Sequence, residues 1–123
     1  MVISNNKQAE HQIQDNIRLA LSQKGFAVFR TNVGRVRMSD GRYFDTGLPK
    51  GFSDLIAIKD GKITFIEVKT PIGKASPEQI NFIMCMKKQY GCKAGVCRSV
   101  EDAIELCGDS TEHGKDRASS PQR

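Results

Sequence analysis

No apolar run in this chain approaches the roughly 20 residues needed to span a bilayer, so no membrane partner is expected. The opening residues, Met1-Val-Ile-Ser-Asn-Asn-Lys7, hold no signal-peptide h-region, and a cytoplasmic protein is the expectation. Cysteine is sparse. Cys85, Cys92, Cys97 and Cys107 form no Cys-x-x-Cys pair and have no nearby histidine set, which argues against zinc and for buried free thiols. No glycine-rich loop follows a strand pattern, which argues against a nucleotide-binding role. Internal repeats are also missing.

What remains is an ordinary globular composition, 38% hydrophobic and 27% charged. The 123 residues suit one domain with a core that needs no staples. The net charge of +5 favours a polyanionic partner. The last stretch, 109–123, lacks large apolar residues and its acids and bases cancel. A disordered tail is expected there, with the positive charge carried by a domain over residues 1–108.

The most informative stretch runs from Gly51 to Thr70. Two apolar runs flank Asp60-Gly61, a dipeptide that favours a two-residue hairpin because both turn residues must take positive φ. That turn fixes the register. Lys59 opposes Lys62, Ile58 opposes Ile63, Ile56 opposes Phe65, and Asp54 opposes Glu67. Opposed residues share a face, and Lys69, two residues past Glu67, joins them. Two carboxylates and an ammonium thus meet at one end of an otherwise apolar face. Opposed like charges destabilise a sheet. A divalent cation between them would explain the pair; so would a solvated strand end where each acid pairs with a lysine.

Around this hairpin the chain reads as helices and short strands. Residues 7–24 form an amphipathic helix on Ile13, Ile17, Ala20 and Leu21, with Glu10 and Gln14 extending the stripe. Glu10 has two readings, an acid aimed at the polar end of the sheet or a first-turn glutamate favoured by the helix dipole. His11 lies off the stripe, on the surface. After Gly25, residues 26–29 begin a strand. Between Arg30 and Lys50, cations outnumber Asp40 and Asp45, Tyr43 and Phe44 interleave, and Ser39-Asp40-Gly41 suggests a second hairpin. Arg30, Lys50 and, further on, Lys74 are candidates for phosphate contacts. Ser76-Pro77-Glu78-Gln79 reads as a helix start with a capping box. Capping alone would explain Gln79; a place beside the acids is the alternative. Ile80, Ile83, Met84 and Met86 are the expected buried side of that helix. A strand over 93–97, parallel to its neighbour, and a helix over 100–107 complete the order α-β-β-β-α-β-α. Both faces of the central hairpin are apolar, so helices should cover both sides.

Gly51-x-x-Asp54, Glu67-x-Lys69, Gln79 inside the next helix and Glu10 upstream, in that order, resemble the PD-(D/E)xK nuclease superfamily. With Thr46-Gly47-Leu48-Pro49-Lys50 ahead of the motif, they are similar to its VRR-NUC branch, over about residues 7–100. The resemblance implies a restriction-endonuclease-like core, a mixed sheet flanked by helices. It implies a DNA endonuclease using Mg²⁺ or Mn²⁺, with Asp54, Glu67 and the backbone carbonyl of Val68 as metal ligands. Lys69, Gln79 and Glu10 would complete the catalytic group. Stand-alone members look like resolvases of four-way junctions, which implies branched DNA as partner, a homodimer, and the cytoplasm of a bacterial cell or phage-infected host. Two rivals remain. One is a nucleic-acid-binding module of this fold without turnover, for which three charged residues of this pattern are unnecessary. The other is a protein-interaction subunit with an incidental Glu-x-Lys.

Overall fold

Asp60 and Gly61 both take positive φ, 54° and 75°, the conformation that turns a chain back on itself within two residues. The computed structural model describes residues 2–108, apart from the side chains of residues 2–5 and 35–36. The tail at 109–123 lies outside the described residues. The elements are α1 (Val2–Gln23), β1 (Ala27–Arg30), β2 (Arg35–Arg37), β3 (Tyr43–Asp45), β4 (Leu55–Lys59), β5 (Lys62–Val68), α2 (Pro77–Lys88), β6 (Lys93–Cys97) and α3 (Val100–Cys107).

The turn sets the expected register, Lys59 on Lys62, Ile58 on Ile63 and Ile56 on Phe65. β1 adds antiparallel to β4, and β6 adds parallel to β5 through the α2 crossover. The result is a four-stranded mixed sheet in the order β1-β4-β5-β6. β2 and β3 form a separate two-stranded sheet inserted between β1 and β4.

Strand alternation sends two sets of side chains to two cores. Leu55, Ala57, Ile66 and Val68 pack with Ile17 and Leu21 of α1 and with Ala103 and Cys107 of α3. Cys97 sits in the same core, where burial, then the charges of Asp102 and Cys107, push its thiol up to about 12. The opposite face carries Phe65 and Ala94 under Ile83 of α2. Phe52, Phe65 and Phe82 form a ring cluster with centroids 4.5 to 5.8 Å apart, each pair contributing roughly 0.5–1.5 kcal/mol beyond area burial.

That cluster corrects the expected face of α2. Phe82 turns inward beside Ile83 and Met86, while Ile80 and Met84 are exposed. A second correction concerns α1, which begins at Val2 rather than at residue 7. Glu10 therefore lies in the third turn, beyond the reach of the N-terminal dipole, which falls off within the first turn. Among the described residues no helix is long and apolar enough to cross a membrane.

Candidate active site

Asp54 lies immediately before β4, where the antiparallel ladder with β5 ends. Its side chain continues that ladder: Oδ2 accepts a hydrogen bond from the Val68 N–H at 2.8 Å. The Asp54 backbone is held from the other side. Its carbonyl accepts from the Thr31 N–H at 3.0 Å, and the Thr31 hydroxyl donates to the Ser53 carbonyl at 2.6 Å. The carboxylate is thus fixed by backbone on both flanks.

Glu67 stands on the α2 side of β5 and is only 2% exposed. One oxygen, Oε2, accepts from Gln79 Nε2 at 2.8 Å. The other, Oε1, is buried with no hydrogen-bond partner. Burial pushes the Glu67 carboxyl up to about 8. The adjacent Asp54 carboxylate and, more weakly, the charge of Glu10 act in the same direction, and Lys69 opposes them. An orphaned carboxylate oxygen facing a second acid is costly, since buried polar groups are almost always partnered. Lys69 Nζ lies 3.8 Å from Glu67 Oε2, an ion pair with a side chain 16% exposed. Its backbone N–H donates to the Cys97 carbonyl at 3.1 Å, which ties the residue to the end of β6.

Gln79 serves two roles at once. Its Oε1 accepts from the Ser76 N–H at 2.8 Å while its backbone N–H donates to Ser76 Oγ at 3.1 Å, completing the capping box. The amide nitrogen left over holds Glu67. The cap therefore aims the side chain that supports the acid. The loop before Asp54 packs on this same first turn of α2. Gly51 has φ +95°, and a Cβ there would lie 2.5 Å from the Glu78 carbonyl oxygen. Backbone cannot yield as a side chain tip can. Gly51→Ala should cost at least about 2 kcal/mol and separate Asp54 from Gln79. Differential scanning calorimetry measures the first effect; an unchanged melting temperature would disprove the close approach.

The structure brings Asp54, Glu67, Lys69 and Gln79 together at one end of β5, with Glu10 near enough for its charge to be felt. The basic candidates are more dispersed. Arg30 ends β1 opposite Leu55, next to Asp54. Lys50 is exposed and 3.9 Å from Glu78 Oε2. Lys74 is exposed on the loop after Thr70, and nothing ties it to the acids. Three supports carry no local signal in the sequence. Arg98 donates through Nη1 to the carbonyls of Thr70 and Gly73, at 2.5 and 2.7 Å. Thr70 in turn donates to Asn6 Oδ1 of α1 at 3.0 Å. Together with Thr31, these groups position the loops that carry Asp54 and Lys69. A lone arginine after a strand gives no local signal of such a contact.

Among the described residues no cluster of three or more His, Cys, Asp or Glu could hold a metal. The donors present are two carboxylates, one with a free buried oxygen, beside a strand end rich in backbone groups. Such hard oxygen donors fit Mg²⁺ or Mn²⁺, ions that keep several waters and take few protein ligands.

A mixed sheet between helices, with acids at the end of its central hairpin, defines a nuclease-type domain of the restriction-endonuclease-like class. A family model for the VRR-NUC domain matches residues 8–101, and the chain belongs to that family. A solved structure described as a VRR_NUC domain superposes with a TM-score of 0.59 at 23% sequence identity, covering 83% of this chain and 97% of its own. At that identity it speaks to the fold alone. A search of curated proteins gives no match.

Proposed function

We propose that this domain is a metal-dependent DNA endonuclease that hydrolyses phosphodiester bonds, selective for branched DNA and acting as a homodimer on four-way junctions. The observation that carries the reading is the buried Glu67 carboxyl beside Asp54, with one oxygen unpartnered and a lysine at its edge. Repulsion between the buried Glu67 and the half-buried Asp54 works against folding, which favours a use in chemistry. Asp54, Glu67 and the Val68 backbone carbonyl would hold Mg²⁺ or Mn²⁺. When bound, the ion polarises a phosphoryl oxygen and lowers the pKa of water.

The chain's own residues do the rest. Lys69 orients the attacking water and stabilises negative charge developing on the phosphoryl oxygens. Gln79 holds Glu67 through Oε2, leaving Oε1 for the ion. Glu10 adds negative potential at the same point, favouring a cation. Arg30, Lys50 and Lys74 would contact phosphates and set the position of the strand rather than its sequence. A four-way junction has two-fold symmetry and must be cut on two strands. One site per domain then calls for two copies related by a two-fold axis.

The test is incubation of the protein with Mg²⁺ or Mn²⁺ and a panel of linear, flapped and four-way DNAs, beside Glu67→Ala. Cleavage is expected on the junction foremost, absent from the variant, with a dimer in sedimentation at the same concentration. Equal cleavage by wild type and Glu67→Ala would remove the site. A monomer cutting linear duplex as readily as junctions would leave a nuclease but end the resolvase reading.

A further inference from the structure

The β2–β3 ribbon is the part of the fold that the acid site does not absorb. It stands as its own two-stranded sheet, outside the β1-β4-β5-β6 sheet. Its base is closed on itself and its leading end is tied to the site. At the base, the Thr46 N–H donates to the Gly34 carbonyl at 2.9 Å, and just outside it Thr31 bonds the backbone of Ser53 and Asp54. The ribbon is thus an arm rooted at one of the acids.

Its chemistry is cationic and aromatic together. Arg37 and Tyr43 are directly opposed and share one face, and Phe44 points from the other. Phe44 is 57% exposed and Tyr43 56%. Near the apex the Met38 N–H donates to the Arg42 carbonyl at 2.7 Å, and Met38 is exposed as well. The two acids of the arm are engaged locally. Asp40 accepts from Arg42 Nε at 2.8 Å, and Asp45 accepts from the Gly47 N–H at 2.8 Å. The arm offers a DNA backbone an excess of positive charge, and it offers something else an exposed ring.

Phosphate contacts need cations and have no use for a solvent-facing phenyl ring. A base has a π-face that such a ring matches, and stacking of this kind tolerates any sequence. Base faces are hidden within continuous duplex and become accessible where strands exchange or end. We infer that the β2–β3 ribbon is the branch-recognition arm of this domain, with Phe44 stacking on a base exposed at a DNA branch point and Arg37 on the flanking phosphates. This inference rests on the proposed reading for DNA as the ligand, not for its cleavage. It assigns structure selectivity to the arm rather than to the acids.

The experiment is fluorescence of a 2-aminopurine placed at the branch of a four-way junction, in chelating buffer so that no strand is cut. Wild type, Phe44→Ala, Phe44→Trp and Arg37→Ala are compared, with a linear duplex as competitor. Wild type is expected to quench the probe by stacking. Phe44→Ala should lose the quench and roughly tenfold or more of junction affinity, the range seen for one stacked base, with a smaller loss on linear duplex. Phe44→Trp should restore both. Arg37→Ala should weaken both DNAs alike and reduce the salt slope by about one ion. Phe44 is exposed, so the melting temperature should stay put in its variants. Retention of quench and junction preference by Phe44→Ala would overturn the assignment. So would a shift of Phe44→Ala to a smaller sedimenting species, which would make the arm a contact between copies of the chain. The readout needs no turnover. Junction binding that depends on Phe44 in a protein that cuts nothing would sink the nuclease reading and keep the arm; cleavage with an indifferent Phe44 would do the reverse.

Discussion

In chelating buffer the protein should melt at progressively lower temperature as pH rises from about 5 to 8.5, and millimolar Mg²⁺ or Mn²⁺ should restore most of the loss. Burial, then Asp54, hold the Glu67 carboxyl at about 8 in the folded protein, against 4.5 as its ordinary value. Between those two values the folded chain keeps a proton that the unfolded chain has released. Stability therefore falls with rising pH across that window. It is greatest below the ordinary value and is lost as pH passes through about 8, the opposite of the usual carboxylate. One proton sets the slope at no more than about 1.36 kcal/mol per pH unit, worth several °C of melting temperature per unit in a domain of this size. Glu67→Gln keeps the shape without the charge. It should lose the slope and melt above wild type at pH 8 without metal. Calorimetry over a pH series reads both. A flat wild-type profile, or an identical slope in Glu67→Gln, would show that the pair is not strained by its charge.

The parts of this site that could be read from sequence are those governed by local rules. Asp60-Gly61 allows one tight turn, and strand periodicity carries its register outward until Asp54 meets the end of β5 beside Glu67. Ser76, Pro77 and Gln79 form a cap that depends on three neighbouring residues, so the start of α2 was legible as well. The second duty of Gln79 was not decidable from the cap, because it depends on where β5 passes. The buried face of α2 is undetermined by local sequence for the same kind of reason. Ile80 and Phe82 are both apolar, and Phe52 and Phe65, distant in sequence, select Phe82 to turn inward. The first-turn reading of Glu10 depends on a helix that starts at residue 7, and α1 extends back to Val2, which removes it. Arg98, Thr31 and Asn6 act through one or two long-range hydrogen bonds each, to backbone or side chain. Such contacts leave no periodicity.

Replacing Lys69 with methionine should lower kcat by about a hundred- to a thousandfold while leaving the protein folded, the range seen when one charge-stabilising donor is removed from a transition state. The side chain is only partly buried and its backbone is anchored independently, through the Lys69 N–H to the Cys97 carbonyl and through Arg98 to the carbonyls of Thr70 and Gly73. Losing the ammonium should therefore not unfold the strand end. It removes two things at once. One is the positive charge beside the phosphoryl oxygens. The other is the single influence that lowers the Glu67 proton affinity, which burial, Asp54 and Glu10 all raise. In Lys69→Met a proton competes more strongly for Glu67, so the acid limb of the pH–rate profile should move to higher pH as well as the plateau falling. Lys69→Arg keeps the charge in a larger, planar group. It should leave the acid limb near its wild-type position and recover only part of the rate, because the guanidinium presents its donors in a different geometry. Steady-state cleavage measured across pH for the three proteins separates the effects. A plateau that falls with no movement of the limb would confine Lys69 to the transition state. Full activity in Lys69→Met would exclude it from the site altogether.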